Sequence, residues 1–459
     1  MKTRLRYLAA LSLLAASPAA RAAEDAPGTA GPSKVAATRQ ELKEQLERSK
    51  ESKPRLPLPP PTDRELAEAR ARAEAAGPRS GAGALGGGIV NNGRLRQVHL
   101  DPELLGSGYS GSREPDPAMT LDGTFKTKLF WIVSRANNCT YCQGHQEVKL
   151  ANDGVKEDEI AALDGDWSEF GPAERAAFAF ARKLTFEPNA LTDADVDRLR
   201  PHYNDLQILE IVLTVAGNNA TNRWTGPLAI PQEKHRVFLT PTSEKYRAMR
   251  SLVAPLDSSA TAPACARPAS RGPLESRAEV EAALAAARER SPRLPLADEA
   301  QARAMLPDDG SAVPASAQWV RLLGNFPKGG KRQADALIRA ETKGKLSPAL
   351  KAKIAWVGAR NDRAWYALGH ARKRLNALGL GDDQVFALDR EDFDSPPAEQ
   401  AALALVRKIT VDPALVADDD VEAVRKHFSD SETAEVVYLA TQAAAFDRLT
   451  EAAGLRLED

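Results

Sequence analysis

Sulfur is scarce in this chain: of its 459 residues, three are cysteine and four are methionine. Three cysteines cannot build the dense disulfide framework that holds small secreted domains together. A core must therefore rest on aliphatic burial, for which 43% hydrophobic residues are ample, even though aromatics make up only 5%. Charge of one sign is also missing, since 62 Lys and Arg face 63 Asp and Glu. No broad field then draws the chain to nucleic acid or to an acidic membrane surface. Beyond the first residues, no apolar run reaches the roughly 18 residues that a bilayer span requires. Alternating runs bounded by hairpin turns are absent, which argues against a β-rich fold. The glycine-rich stretch Gly77 to Gly93 is followed by no Lys-Ser or Lys-Thr, so it makes no phosphate cradle.

What is present begins with a basic start (Lys2, Arg4, Arg6), an apolar run from Tyr7 to Ala16, and Ala20-Arg21-Ala22. That order predicts a cleaved secretory signal over residues 1–22 and export to the periplasm or medium. No cysteine follows it to accept a lipid. Residues 23–62, rich in Ala, Lys, Glu and Gln and then in proline, predict a mobile stalk. From about Leu121 the apolar spacing is helical almost throughout. Asn137 or Asn138 is expected to open one helix, Pro172 sits at a first turn, and Thr192 with Asp195 resembles a capping box. The fold class expected is all-α.

The neighbourhood of Pro172-Ala173-Glu174-Arg175-Ala176-Ala177 returns as Pro397-Ala398-Glu399-Gln400-Ala401-Ala402, displaced by 225 residues. Arg182-Lys183-Leu184-Thr185 and Arg407-Lys408-Ile409-Thr410 share that displacement, as do His145 and His370 and also Arg223 and Arg448. A gapless shift over about a hundred residues reads as two tandem domains. Even Pro54-Arg55-Leu56-Pro57-Leu58 has a second version, Pro292-Arg293-Leu294-Pro295-Leu296. The boundaries expected are 63–242 and 291–459, joined by a Pro/Ala-rich linker over 243–290 that contains Cys265.

The chemistry concentrates in Cys139-Thr140-Tyr141-Cys142-Gln143-Gly144-His145. The matching segment, Ala364-Trp365-Tyr366-Ala367-Leu368-Gly369-His370, has alanine at both thiol positions. Two thiols one turn apart at a helix start can close and reopen a disulfide. Unpaired N–H groups there favour a thiolate, and His145 shares a face with Cys142. Helix-terminus electrostatics alone rank Cys139 as the more acidic thiol. Zinc lacks a fourth ligand at finger spacing. Haem attachment needs a histidine where Gln143 stands. A structural disulfide over one turn closes too small a loop to stabilise much. No metal or cofactor is expected.

The run Ser134-Arg135-Ala136-Asn137-Asn138-Cys139-Thr140-Tyr141-Cys142-Gln143-Gly144-His145, with Phe180 to Thr185 and Thr192 to Val196, resembles the alkylhydroperoxidase / carboxymuconolactone decarboxylase-like family. The likeness covers about 120 to 235, and a cysteine-free version covers about 345 to 450. It implies an all-helical, oligomeric fold, a hydroperoxide substrate, a thiol reductant and a redox-active disulfide. It further implies Cys142 as attacking thiol, Cys139 as resolving thiol and His145 as their neighbour. Two repeats in one chain could then pack as an intramolecular pseudo-dimer. The chain departs from the family at Thr127, where a relay glutamate would stand, and in having His145 three rather than four residues after Cys142. Glu210 is the candidate replacement carboxylate, but its match Glu435 in the thiol-free half favours a structural role. The rival expectations are a non-enzymatic helical interaction scaffold with a resting disulfide and, resting on the family name alone, lactone decarboxylation.

Overall fold

Short polar side chains set the helix starts. Asp122 accepts from the Phe125 N–H ahead of Gly123–Ala136. Asn204 with Gln207 closes a capping box ahead of Asp205–Thr225, and Ser429 with Glu432 does so ahead of Asp430–Ala452. Each pairs donors that the first turn cannot pair for itself. Pro172 lies in the first turn of its helix, and Thr192 with Asp195 forms the expected box.

The computed structural model of the chain describes residues 35–76, 89–106, 115–247, 272–307, 313–390 and 392–458. Among these residues the fold is all-α, with no strand. In order the helices are α1 (Arg39–Arg48), α2 (Asp63–Ala76), α3 (Asn91–His99), α4 (Pro102–Leu105), α5 (Gly123–Ala136), α6 (Thr140–Asn152), α7 (Glu157–Ala162), α8 (Pro172–Phe186), α9 (Asp193–Asp197) and α10 (Asp205–Thr225). There follow α11 (Arg277–Arg288), α12 (Glu299–Arg303), α13 (Gln318–Leu323), α14 (Gly329–Thr342), α15 (Pro348–Asp362), α16 (Trp365–Ala377), α17 (Asp382–Ala387), α18 (Pro397–Val411), α19 (Asp418–Arg425) and α20 (Asp430–Ala452). The starts of α5 to α10 and of α15 to α20 differ by 225 residues throughout. No described helix is long and apolar enough to cross a membrane.

The two sets of helices pack on each other chiefly through α10 and α20. A buried arginine from each reaches the other set: Arg223 Nη2 donates to the Thr410 carbonyl at 3.2 Å, and Arg448 Nη2 donates to the Thr185 carbonyl at 2.8 Å. The lead-in segments cross in the same way. Arg55 Nε lies 2.7 Å from Asp418, and Arg293 Nε lies 2.7 Å from Asp193.

Those lead-ins correct two expectations. Residues 23–62 were expected as a mobile stalk, yet their described part holds α1, with Leu42 and Leu46 fully buried, and a Pro-rich run whose Leu56 is buried as well. The expected linker 243–290 likewise holds α11, with Val280 and Leu284 in the core, so the second domain begins before residue 291. In both cases a polar composition conceals one apolar stripe at i, i+4, which is enough to dock a short helix. Arg39 adds an ionic anchor, 2.6 Å from Glu147 and 2.9 Å from Glu157. The expected signal over residues 1–22, the glycine-rich residues 77–88 and Cys265 lie outside the described residues.

The crossing arginines give a test. Arg448 also pairs with buried Asp362 at 2.7 Å. Arg448→Met takes the guanidinium away from that carboxylate and should cost about 3–5 kcal/mol. Adding Asp362→Asn, the residue type found at the matching Asn137, should recover part of the loss. Urea unfolding followed by circular dichroism checks both. A double variant no more stable than the single one would show that the loss does not come from the stranded carboxylate.

Candidate functional site

The chain turns sharply between α5 and α6. Asn138 takes a left-handed conformation, φ 50°, as Arg363 does at the matching turn, φ 54°. Asn is among the few residue types that visit this region at modest cost. The expected asparagine cap is thereby displaced by one: Asn138 makes the turn and Cys139 is the N-cap, its sulfur accepting from the Cys142 N–H at 3.4 Å. The tight turn leaves the residue after it in the capping position.

Cys139 and Cys142 are both free and both buried, 1% and 2% exposed. Thr225, the last residue of α10, joins them. Its Oγ1 is 2.9 Å from Cys139 Sγ and 3.0 Å from Cys142 Sγ, and it donates to the Thr221 carbonyl at 3.0 Å. Behind the thiols lies a network of neutral amides. Asn137 Nδ2 donates to Asn219 and Asn222, each at 3.0 Å, and Arg223 Nη1 donates to Asn137 at 3.1 Å and to Asn219 at 2.7 Å.

This environment divides the two thiols. Burial pushes Cys139 up, but its hydrogen bonds with the Cys142 thiol, Thr225, the Cys142 N–H and Asn222 outweigh it and bring the thiol below its ordinary value. Cys142 is driven well above its own ordinary value, first by burial and then by Cys139. Cys139 is thereby the more acidic of the two thiols. Helix-terminus electrostatics gives the same ordering, and the family resemblance implies the other.

His145 is not part of this pair. Its ring lies against Tyr141, centroids 4.4 Å apart. Its Nε2 is 3.1 Å from Glu233 Oε2, and Arg236 Nη2 faces its Nδ1 at 3.3 Å. A neutral ring with its proton on Nε2 suits both neighbours. Burial is the main reason the His145 pKa falls to about 4, with Glu233 opposing the fall and Arg236 adding to it. Burial alone would raise Glu233, yet His145, Arg236 and Tyr141 hold it down to about 2. Tyr141 donates to Glu233 at 2.7 Å, and the Asn91 N–H donates to the same oxygen at 2.9 Å. Of the three residues expected as a site, the two cysteines meet at Thr225, while the contacts of His145 run to Tyr141, Glu233 and Arg236.

Of the carboxylates weighed from the sequence, Glu210 is committed elsewhere. It accepts from the N–H groups of Thr120 at 2.8 Å and Leu121 at 3.0 Å and from Lys126 at 2.8 Å. Glu435 holds Lys345 and Leu346 in the same manner. Thr127 closes onto its own helix, donating to Gly123 at 2.9 Å. Sequence reasoning missed Thr225, Asn222 and the Tyr141–Glu233–Arg236 cluster. The 225-residue displacement could have revealed part of it, because it pairs Glu233 with Glu458. Glu458 lies 3.2 Å from His370 and accepts from Tyr366 at 3.0 Å.

No family model matches the chain. A Bacillus subtilis (strain 168) protein described as "Uncharacterized protein YdfG" is 30% identical over 95 residues, which span 20% of this chain and 64% of that protein.

The buried imidazole predicts acid sensitivity. A histidine whose pKa is lowered from 6.5 to about 4 by folding contributes stability above pH 6.5 and loses it as pH falls through about 4. The full loss is about 3 kcal/mol. Glu233 adds a loss of the same sign at lower pH, between 4.5 and about 2. His145→Gln should flatten the stability curve between pH 6.5 and 4, measured as urea midpoints. Parallel curves for the variant and the wild type would mean that His145 titrates normally in the folded protein.

Proposed function

We propose that Cys139 and Cys142 form a redox-active dithiol that reduces hydroperoxides, or exchanges disulfides, with Cys139 as the attacking thiolate. The observation that carries this reading is the seating of both sulfurs, one turn apart at a helix start, on one hydroxyl, Thr225. A thiolate beside a protonated thiol has both the nucleophile and the proton that the first step consumes. Cys139 S⁻ attacks the terminal peroxide oxygen, the O–O bond breaks, and the leaving alkoxide takes the Cys142 proton to give the alcohol and a Cys139 sulfenic acid. The Cys142 thiolate then attacks that sulfur, forming the disulfide and releasing hydroxide. An external thiol must return two electrons to close the cycle. Export, expected from residues 1–22, would require that donor outside the cytoplasm.

The uncharged amides at two places near the thiols support the same reading. The half that carries thiols has Asn137 and Asn222 beside them, whereas the cysteine-free half has Asp362 and Asp447 at those places. A buried carboxylate next to Cys139 would oppose a thiolate by like charge. His145 has a positioning role here, because its cluster recurs around His370 where there are no thiols. Lactone decarboxylation draws no support from these contacts. The near-complete burial of both sulfurs favours a second reading, a helical interaction scaffold with inert thiols.

Mass spectrometry separates the two. The reduced Cys265→Ser chain is treated with one equivalent of an organic hydroperoxide, alone and with Cys139→Ser or Cys142→Ser. A Cys139–Cys142 disulfide should form, and Cys142→Ser should accumulate a sulfenic acid on Cys139 that a dimedone probe captures. A sulfenic acid in Cys139→Ser instead would transfer the attacking role to Cys142. Thiols that react no faster than free cysteine would leave the scaffold.

A further inference from the structure

The cysteine-free half contains a cavity of ≈ 560 Å³, a size typical of small-molecule sites. Apolar side chains from four helices line it: Trp319 from α13, Leu337 from α14, Ile354 from α15, and Leu439 and Phe446 from α20. Phe446 is the centre of a group of rings, its centroid 5.8 Å from that of Trp319, 6.1 Å from Tyr366 and 6.3 Å from His370. Trp319 and His370 meet it edge-on, at 86° and 87°, an arrangement that aromatic rings favour. We propose that this cavity binds an uncharged aromatic molecule.

The charges of the wall decide against an ionic ligand. Arg374 lies 2.9 Å from Glu341, and Lys351 lies 3.1 Å from Glu435. Glu458 is held by Tyr366 at 3.0 Å, by the Gln318 N–H at 2.6 Å and by His370 at 3.2 Å. Lys373 is engaged as well. A charged ligand would have to break one of these pairs or stay unpaired among apolar side chains, and both are costly. A neutral ligand disturbs none of them. The wall also carries two uncharged polar side chains, Ser316 and Gln442, and Gln442 stands one turn before Phe446 on α20. A ring packed on Phe446 and Trp319 can therefore direct a hydroxyl or carbonyl toward the Gln442 amide. The first half has Thr221 in the place of Phe446 and Thr214 in the place of Leu439, so the α20 wall is more apolar than its counterpart. This inference does not rest on the Cys139–Cys142 reading.

Isothermal titration of the full chain at neutral pH with naphthol tests it, with naphthoate and naphthylmethylammonium as charged controls and decanol as the uncharged control without a ring. Naphthol should bind more tightly than about 0.1 mM and at least about tenfold more tightly than any of the three controls. Phe446→Leu, which keeps an apolar side chain and removes the ring, should weaken naphthol at least about fivefold. Ala355→Phe, which fills the cavity from α15, should abolish binding, and melting curves like the wild type's confirm that the variants fold. If Ala355→Phe unfolds, Ala377→Phe, at an exposed position on the last turn of α16, obstructs the same cavity from its rim. Absence of naphthol binding, a control that binds as tightly as naphthol, or naphthol affinity unchanged in a folded cavity-filling variant would overturn the proposal.

Discussion

Two buried guanidinium groups hold the architecture together. Arg223 and Arg448 stand at matching places on α10 and α20, and each donates to a carbonyl near the C-terminal end of the other half's helix, Thr410 in α18 and Thr185 in α8. A cation is well placed there, because the last carbonyls of a helix have no partner within it and carry the negative end of its dipole. A buried arginine is costly unless its donors are used, so the contact fixes the depth and rotation at which the two halves meet. Arg55 and Arg293 repeat the exchange nearer the surface, each lead-in reaching an aspartate of the opposite half. Two reciprocal pairs of such contacts therefore tie the halves together.

The same frame supports two different interiors. In the first half, the turn after α5 ends in Cys139, and Thr225 from α10 seats both sulfurs. In the second, alanines occupy the thiol positions and carboxylates replace two of the nearby amides. Asp447 is pushed well above the usual carboxylate range, first by burial and then by Asp362.

Much of this was legible in the sequence. Helical spacing, the proline at 172, the Thr192–Asp195 box and the constant displacement all announced themselves through local rules. The Cys139–Cys142 pair was legible for the same reason, as neighbours on one turn. What failed was long-range or hidden in composition. Thr225 meets Cys139 across 86 residues, and Glu233 meets His145 across 88; nothing local in a hydroxyl or a carboxylate says which helix it will face. Leu42, Leu46 and Leu56 are single leucines in segments dominated by charge or proline. Their burial depends on the groove that the rest of the fold supplies.

The His145 cluster bears on how any thiol chemistry here must handle protons. Tyr141, His145 and Glu233 in one half and Tyr366, His370 and Glu458 in the other share one geometry. A catalytic relay for thiols has no reason to persist where thiols are absent, whereas a structural tie does. Glu233 and Glu458 each lie beyond the last long helix of their half, and each is drawn back onto the helix that follows the sharp turn. The cluster therefore pins the returning chain against α6 or α16. The His145 imidazole is held neutral by burial, which also unfits it to stabilise a thiolate as a neighbouring cation. In the proposed chemistry, proton transfer at the sulfurs is then left to the groups that touch them, and the pKa of Cys139 is lowered chiefly by its hydrogen bonds with the Cys142 thiol and Thr225 rather than by a histidine.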